Sequence, residues 1–169
     1  MRYRKIRFSE NCAFKLQLSS SSEVDDKNCL IGYANADWAG SATDRKSTSG
    51  CLFQLYGSTI SWKSRKQQCV SISSTEAEYV SLSEACQEGV WLKLLLKDFN
   101  IEQISKFVMY EDNQSCLKML NSENVCNRTK HIDTRYHFAK ELQEKGHTFF
   151  KYCPTEEMIA DILTNLWKL

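Results

Sequence analysis

Two aspartates, Asp37 in "ANADWAG" and Asp112 in "MYEDNQS", each stand at the end of a strand-like run, just before a turn. In an open α/β sheet the crevice beyond the carboxyl ends of the strands is where ligands bind. If the two strands are parallel neighbours, their carboxylates converge, and one acid from a long helix and another from the last helix would complete an oxygen cage suited to Mg²⁺. The stretch "SISSTEAEYVSLSEA", residues 71–85, offers two acids for the helical position, Glu76 and Glu78. Helical spacing separates them. Glu78 heads the apolar series Leu82, Ala85, Gly89, Leu92 and Leu96, whereas Glu76 precedes Val80, Ser83 and Gln87 on a mixed rim face. A carboxylate on a buried stripe is costly unless paired or metal-bound, while one at a helix start serves as a cap and dipole partner. Glu78 is therefore the chemical candidate, and Glu76 is expected to close a capping box with Ser73.

These acids need elements that hold them. "CLIGYANADW" alternates as a strand, with Ile31, Tyr33, Asn35 and Asp37 on one face. "CLFQLY" and "TISWKS" follow, joined by a hairpin turn expected at Gly57-Ser58. A long helix is predicted from about Ser74 to Phe99, a strand over "KFVMYED", and a short helix over "NQSCLKMLN". Ile132, Tyr136, Ala139 and Leu142 mark a second long helix over 131–145, with Gly146 at its end. The strand "HTFFKYC" ends at Pro154, and Thr155 is expected to cap one last helix through Glu156, Ile159, Ile162 and Leu163. Three antiparallel strands followed by strands alternating with helices predict an α/β fold with a mixed sheet and helices on its faces. Residues 1–28, basic and then serine-rich, read as a partly flexible lead-in to a single domain over 29–169.

The net charge of +1 gives no global sign of a polyanion partner, so the local distribution matters more. Arg45, Lys46, Lys63, Arg65 and Lys66 crowd between Ser41 and Val70 against Asp44 alone. Eight cysteines without a C-x-x-C pair or zinc-type spacing read as reduced, mostly buried thiols of an intracellular protein. No apolar run reaches the roughly 18 residues of a membrane span, and cytoplasm or nucleus is the expected compartment. His131 and His137 in "KHIDTRYH" suggest a metal site less well than a surface pair of Asp133 with His137, four residues apart on a helix.

Together "ADWAGSATDRKSTSGCLF", "SSTEAEY", "YEDNQS", "KHID" with "RYHFA", and "PTEEMIADILT" resemble the ribonuclease H domain of copia-type retrotransposon Gag-Pol polyproteins, over about residues 29–165. The lead-in resembles the segment that connects reverse transcriptase to that domain. The resemblance implies a ribonuclease H-like fold with a five-stranded mixed sheet and helices on both faces. It implies hydrolysis of the RNA strand of RNA–DNA hybrids with two Mg²⁺ ions, or Mn²⁺, held by Asp37, Glu78, Asp112 and Asp161, the last from "IADIL". With the charge count it suggests Arg45, Lys46, Lys63, Arg65 and Lys66 for phosphates. Ser74, Asn113 and Gln114, small polar groups beside the acids, are placed for 2′-hydroxyls, and Lys130 and His131 for the nucleic acid backbone. A reverse transcriptase domain in a longer polyprotein is the implied protein partner, and no membrane is. The chain departs from the family where Thr164, Asn165 and Leu166 replace threonine-lysine-proline. Its isolated context makes a polyprotein fragment the expectation, either an active nuclease or a non-catalytic remnant that binds nucleic acid or a partner.

Overall fold

The computed structural model describes residues 5–8, 12–15, 30–101, 106–121 and 130–164, with side chains over 30–101, 106–121 and 137–164. Within the lead-in, β1 (Lys5–Phe8) and β2 (Cys12–Lys15) pair with each other as an antiparallel ribbon. The main sheet is built from β3 (Leu30–Asp37), β4 (Thr48–Leu55), β5 (Ser58–Lys66), β6 (Phe107–Glu111) and β7 (Thr148–Tyr152). Its order is β5-β4-β3-β6-β7, antiparallel across the first three strands and parallel from β3 to β6 to β7. The helices are α1 (Ser74–Asp98), α2 (Gln114–Asn121), α3 (Lys130–Glu144) and the short α4 (Asp161–Thr164).

Alternation along the strands decides what each face meets. Leu30 and Ala34 of β3, Cys51, Phe53 and Leu55 of β4, and Phe107 and Met109 of β6 point to one side and pack against Tyr79, Leu82, Ala85, Leu92 and Leu96 of α1. The opposite side carries Tyr33 and Tyr110, ring-stacked at 5.1 Å, over a smaller cluster of Cys153, Met158 and Ala160, with α4 against β4. Helices therefore cover both faces, as the mixed-sheet reading requires.

The hairpin turn differs by one residue from its expected place. Tyr56 and Gly57, with φ of 52° and 73°, form it, and Ser58 already belongs to β5. Left-handed values at both central residues match the twist of the strands they join, and Gly57 adopts its value without steric cost. The last helix differs more. Thr155–Glu157 forms a 3-10 turn, Met158 leaves helical geometry at ψ 88°, and α4 starts afresh at Asp161. The break buries Met158 and Ala160 in the small cluster, which one continuous helix would not do.

Gly89 sets how closely α1 approaches the sheet. A Cβ there would meet the Phe107 ring at 2.7 Å, and Phe107 is fully buried. Gly89→Val is expected to destabilise the fold by about 1–3 kcal/mol through overpacking, more than any gain in helix propensity returns. Urea unfolding measures this, and an unchanged midpoint would mean that α1 shifts freely on β6.

Candidate active site

The parallel pairing of β3 with β6 ends at Tyr33–Tyr110, so the chain segments carrying Asp37 and Asp112 leave the same end of the sheet side by side. Glu78, in the second turn of α1, lies over this end, 7% exposed. Carboxylate oxygens of Glu78, Glu111 and Asp112 fall within 4.8 Å of one another. Burial foremost, then the charges of Asp112, Asp161 and Asp37, push the Glu78 carboxyl up to about 9, against a hydrogen bond from the Ala36 backbone that favours its charged form. Asp161 is also raised, by its burial and by Asp112. All four sequence-selected acids thus share one electrostatic neighbourhood.

Neutral donors orient two of them. Asn35 Nδ2 donates to Asp161 Oδ1 at 2.6 Å and to Thr164 Oγ1 at 2.8 Å, tying α4 to β3. Thr155 Oγ1 donates to Asp112 Oδ2 at 2.9 Å, in place of the helix-capping role expected for it. Such donors fix a carboxylate without neutralising it, which leaves the charge for a cation.

Glu76 is not on a rim. It is 9% exposed, and Val80 and Ser83 are buried as well, because the first turns of α1 are covered on most sides. Hydrogen bonding rather than exposure distinguishes it from Glu78. Ser73 Oγ accepts from the Glu76 N–H, and Glu76 Oε2 accepts from the Ile72 N–H at 2.9 Å, one residue before the usual partner in a capping box. Glu78 Oε2, by contrast, is buried without a hydrogen-bond partner.

The basic residues divide between faces. Asp37, Thr48 and Lys66 form one cross-strand row, and with Arg65, Ser64 and Ser41 they border a cleft of about 500 Å³. Lys66 also pairs with Asp44 at 2.9 Å, both exposed. Lys63 is registered with Cys51, on the α1 side, and borders a separate cleft with Arg65, Glu84 and Glu88. It stands on the opposite face of the sheet from Asp37. Arg45 is exposed with φ 55°, and Lys46 is half-buried. Ser74 and Gln114 are exposed first residues of α1 and α2. Asn113 caps α2 by accepting from the Cys116 N–H at 3.0 Å, so its Nδ2 is the part a ligand would meet. Lys130 and His131 open α3, and their side chains, with that of Asp133, lie outside the described residues.

Three contributors have no site role in the sequence reading. Alternation places Asn35 on the Asp37 face without naming its partner, and Thr155 reads as a cap. Glu111 goes unmarked beside Asp112, although alternation puts it on the core face with Phe107 and Met109, fully buried. The reasoning that selects Glu78, an acid on an apolar stripe, applies equally to it. Burial, with the neighbouring Glu78 next, raises the Glu111 carboxyl well above the usual range.

The mixed β5-β4-β3-β6-β7 sheet with helices on both faces is a ribonuclease H-like fold. Among solved structures, LC11-RNase H1 from compost superimposes with a TM-score of 0.61 at 18% identity, covering 82% of this chain and 94% of that one. The same enzyme in complex with an RNA/DNA hybrid gives 0.58 at 14% identity, over 80% and 94%. By sequence the chain's homologues are retrovirus-related Pol polyproteins of plant copia-type transposons. It is 40% identical over 137 residues to that of transposon TNT 1-94 of Nicotiana tabacum, covering 81% of this chain and 10% of the polyprotein. It is 36% identical over 135 residues to that of transposon RE2 of Arabidopsis thaliana, covering 80% and 9%. The chain thus spans about one tenth of the polyproteins it matches. No protein-family model matches it.

Proposed function

We propose that this domain hydrolyses the RNA strand of RNA–DNA hybrids, using divalent cations held by Asp37, Glu78, Asp112 and Asp161. The observation that carries the reading is a buried carboxylate oxygen without a partner, Glu78 Oε2, inside a group of acids drawn from β3, α1, the end of β6 and α4. Neither the Lys66–Asp44 pair nor the Lys145–Glu141 pair includes one of these four acids. So many clustered carboxylates are favourable in their charged form only with cations among them, and all-oxygen donors suit Mg²⁺ or Mn²⁺. When bound, such ions supply Lewis-acid activation of water and neutralise charge at the phosphate.

The chain's own residues do the remaining work. Asn35 and Thr155 hold Asp161 and Asp112 in fixed orientations. Arg65 and Lys66, on the cleft beside Asp37, hold a phosphate of the hybrid, while Ser74, Gln114 and Asn113 Nδ2 offer polar groups to the RNA 2′-hydroxyls. The complex of LC11-RNase H1 with an RNA/DNA hybrid supports this substrate class. A reverse transcriptase domain of the same polyprotein, in cytoplasm or nucleus, would supply the hybrid.

The test is to incubate the purified chain with a labelled RNA–DNA hybrid in Mg²⁺, Mn²⁺ or EDTA. Cleavage confined to the RNA strand and abolished by EDTA is expected. Cleavage that persists in EDTA would refute the mechanism, and a folded chain that binds hybrid without cutting it would make this a binding module.

A further inference from the structure

Glu111 is an acid where the strand pattern calls for an apolar residue. Its neighbours on the same face of β6, Phe107 and Met109, belong to the main core, and Glu111 itself is 0% exposed. Oε1 accepts from the Asn113 N–H at 3.2 Å, and Oε2 has no hydrogen-bond partner. Glu78 Oε2 is orphaned in the same way, and the two acids approach each other and Asp112 within 4.8 Å. A buried carboxylate oxygen with nothing to accept from is destabilising, and two side by side are more so.

We infer that Glu111 is a fifth carboxylate of the cation site, giving Oε2 to the ion that Glu78 and Asp112 hold. The inference rests on the reading of the acid cluster as a divalent-cation site. Oxygens around one octahedral Mg²⁺, each about 2.0–2.1 Å from the ion, lie roughly 3–4 Å apart, so a small closure of the three carboxylates completes the arrangement. The site then draws ligands from both sides of the sheet, Glu78 and Glu111 from the α1 face and Asp37 and Asp161 from the α4 face, with Asp112 at the strand end between them. An added carboxylate raises the charge facing the ion and with it the affinity.

Binding of Mn²⁺ to the full chain without nucleic acid, followed by the electron paramagnetic resonance of free Mn²⁺, tests this. Glu111→Gln is expected to weaken binding at least about tenfold, the lower bound for groups that only support a ligand. Its thermal midpoint in EDTA should be no lower than that of the unaltered chain, because Gln is neutral in the buried position without having to take up a proton. Equal Mn²⁺ affinity in Glu111→Gln, with Glu78→Gln weakened, would overturn this inference and leave the four-acid site standing. No Mn²⁺ binding by the unaltered chain would overturn both. A measurement that needs no substitution follows the ¹³C carboxyl resonances during a Mg²⁺ titration. Glu111 and Glu78 should shift over the same Mg²⁺ range, and a stationary Glu111 signal would also overturn the inference.

Discussion

Glu78→Gln is expected to abolish cleavage of an RNA–DNA hybrid, by more than the roughly 10- to 100-fold that losses beyond the direct ligands cost. Glu76→Gln, two positions earlier, should keep the activity. Both residues are almost equally buried, so exposure does not distinguish them. Glu76 Oε2 is committed to the Ile72 N–H at the start of α1, where a carboxylate also favours the helix dipole. A side-chain amide in its place keeps an acceptor oxygen, so that substitution should cost only about 0.5–1 kcal/mol. Glu78 has a buried oxygen with no protein donor, and its pKa is raised by burial and then by the charges of three aspartates. Without cation, Gln spares the folded state the cost of keeping Glu78 protonated among the aspartates, and the unfolding midpoint in EDTA should not fall. Single-turnover cleavage in Mg²⁺ and urea unfolding in EDTA, run on both variants, give opposite signatures. Activity retained by Glu78→Gln would remove the central member of the proposed site.

Glu78 is legible in the sequence because α1 is long enough for periodicity to speak. Its stripe, Leu82, Ala85, Gly89, Leu92 and Leu96, is buried along its whole length. Glu76 reads wrongly as a rim residue because the spacing on one helix does not record what the neighbouring loop and sheet end cover. Asp161 comes only from the motif, since a four-residue helix has no period to read. The expected continuous last helix fails on Met158 and Ala160, whose burial beneath Tyr33 and Tyr110 depends on a partner surface the local sequence does not show. Asn35 falls on the right face but without a partner, because Asp161 is 126 residues away. Lys63 and Lys66 look like one basic cluster in sequence, yet their registry with Cys51 and Thr48 puts them on opposite faces.

Stripped of divalent cations, the protein should lose stability as pH rises from about 4.5 to about 9. An unfolded Glu78 releases its proton near its ordinary value of 4.5, whereas the folded residue keeps it up to about 9. Between those limits the folded state binds more protons, so stability falls with pH, by at most about 1.4 kcal/mol per unit for each such group. The contribution is fully present below 4.5 and gone once pH has passed the folded value. Glu111 and Asp161, both raised, act in the same direction. Glu141, held below its ordinary value by Lys145, has its opposite effect only at lower pH, where protonation breaks that exposed pair. Mg²⁺ should reverse the slope's consequence, because cations compete with protons for the carboxylates and bind best where protons have left. Stabilisation by a fixed Mg²⁺ concentration is therefore expected to grow between about pH 5 and 8.5, following its apparent affinity. Urea unfolding at about pH 5, 7 and 8.5, in EDTA and in Mg²⁺, reads both trends. Stability in EDTA that stays level or rises over that range would mean the acids are neutralised by some other group. A slope that survives in Glu78→Gln would move the responsible proton from Glu78 to Glu111 or Asp161.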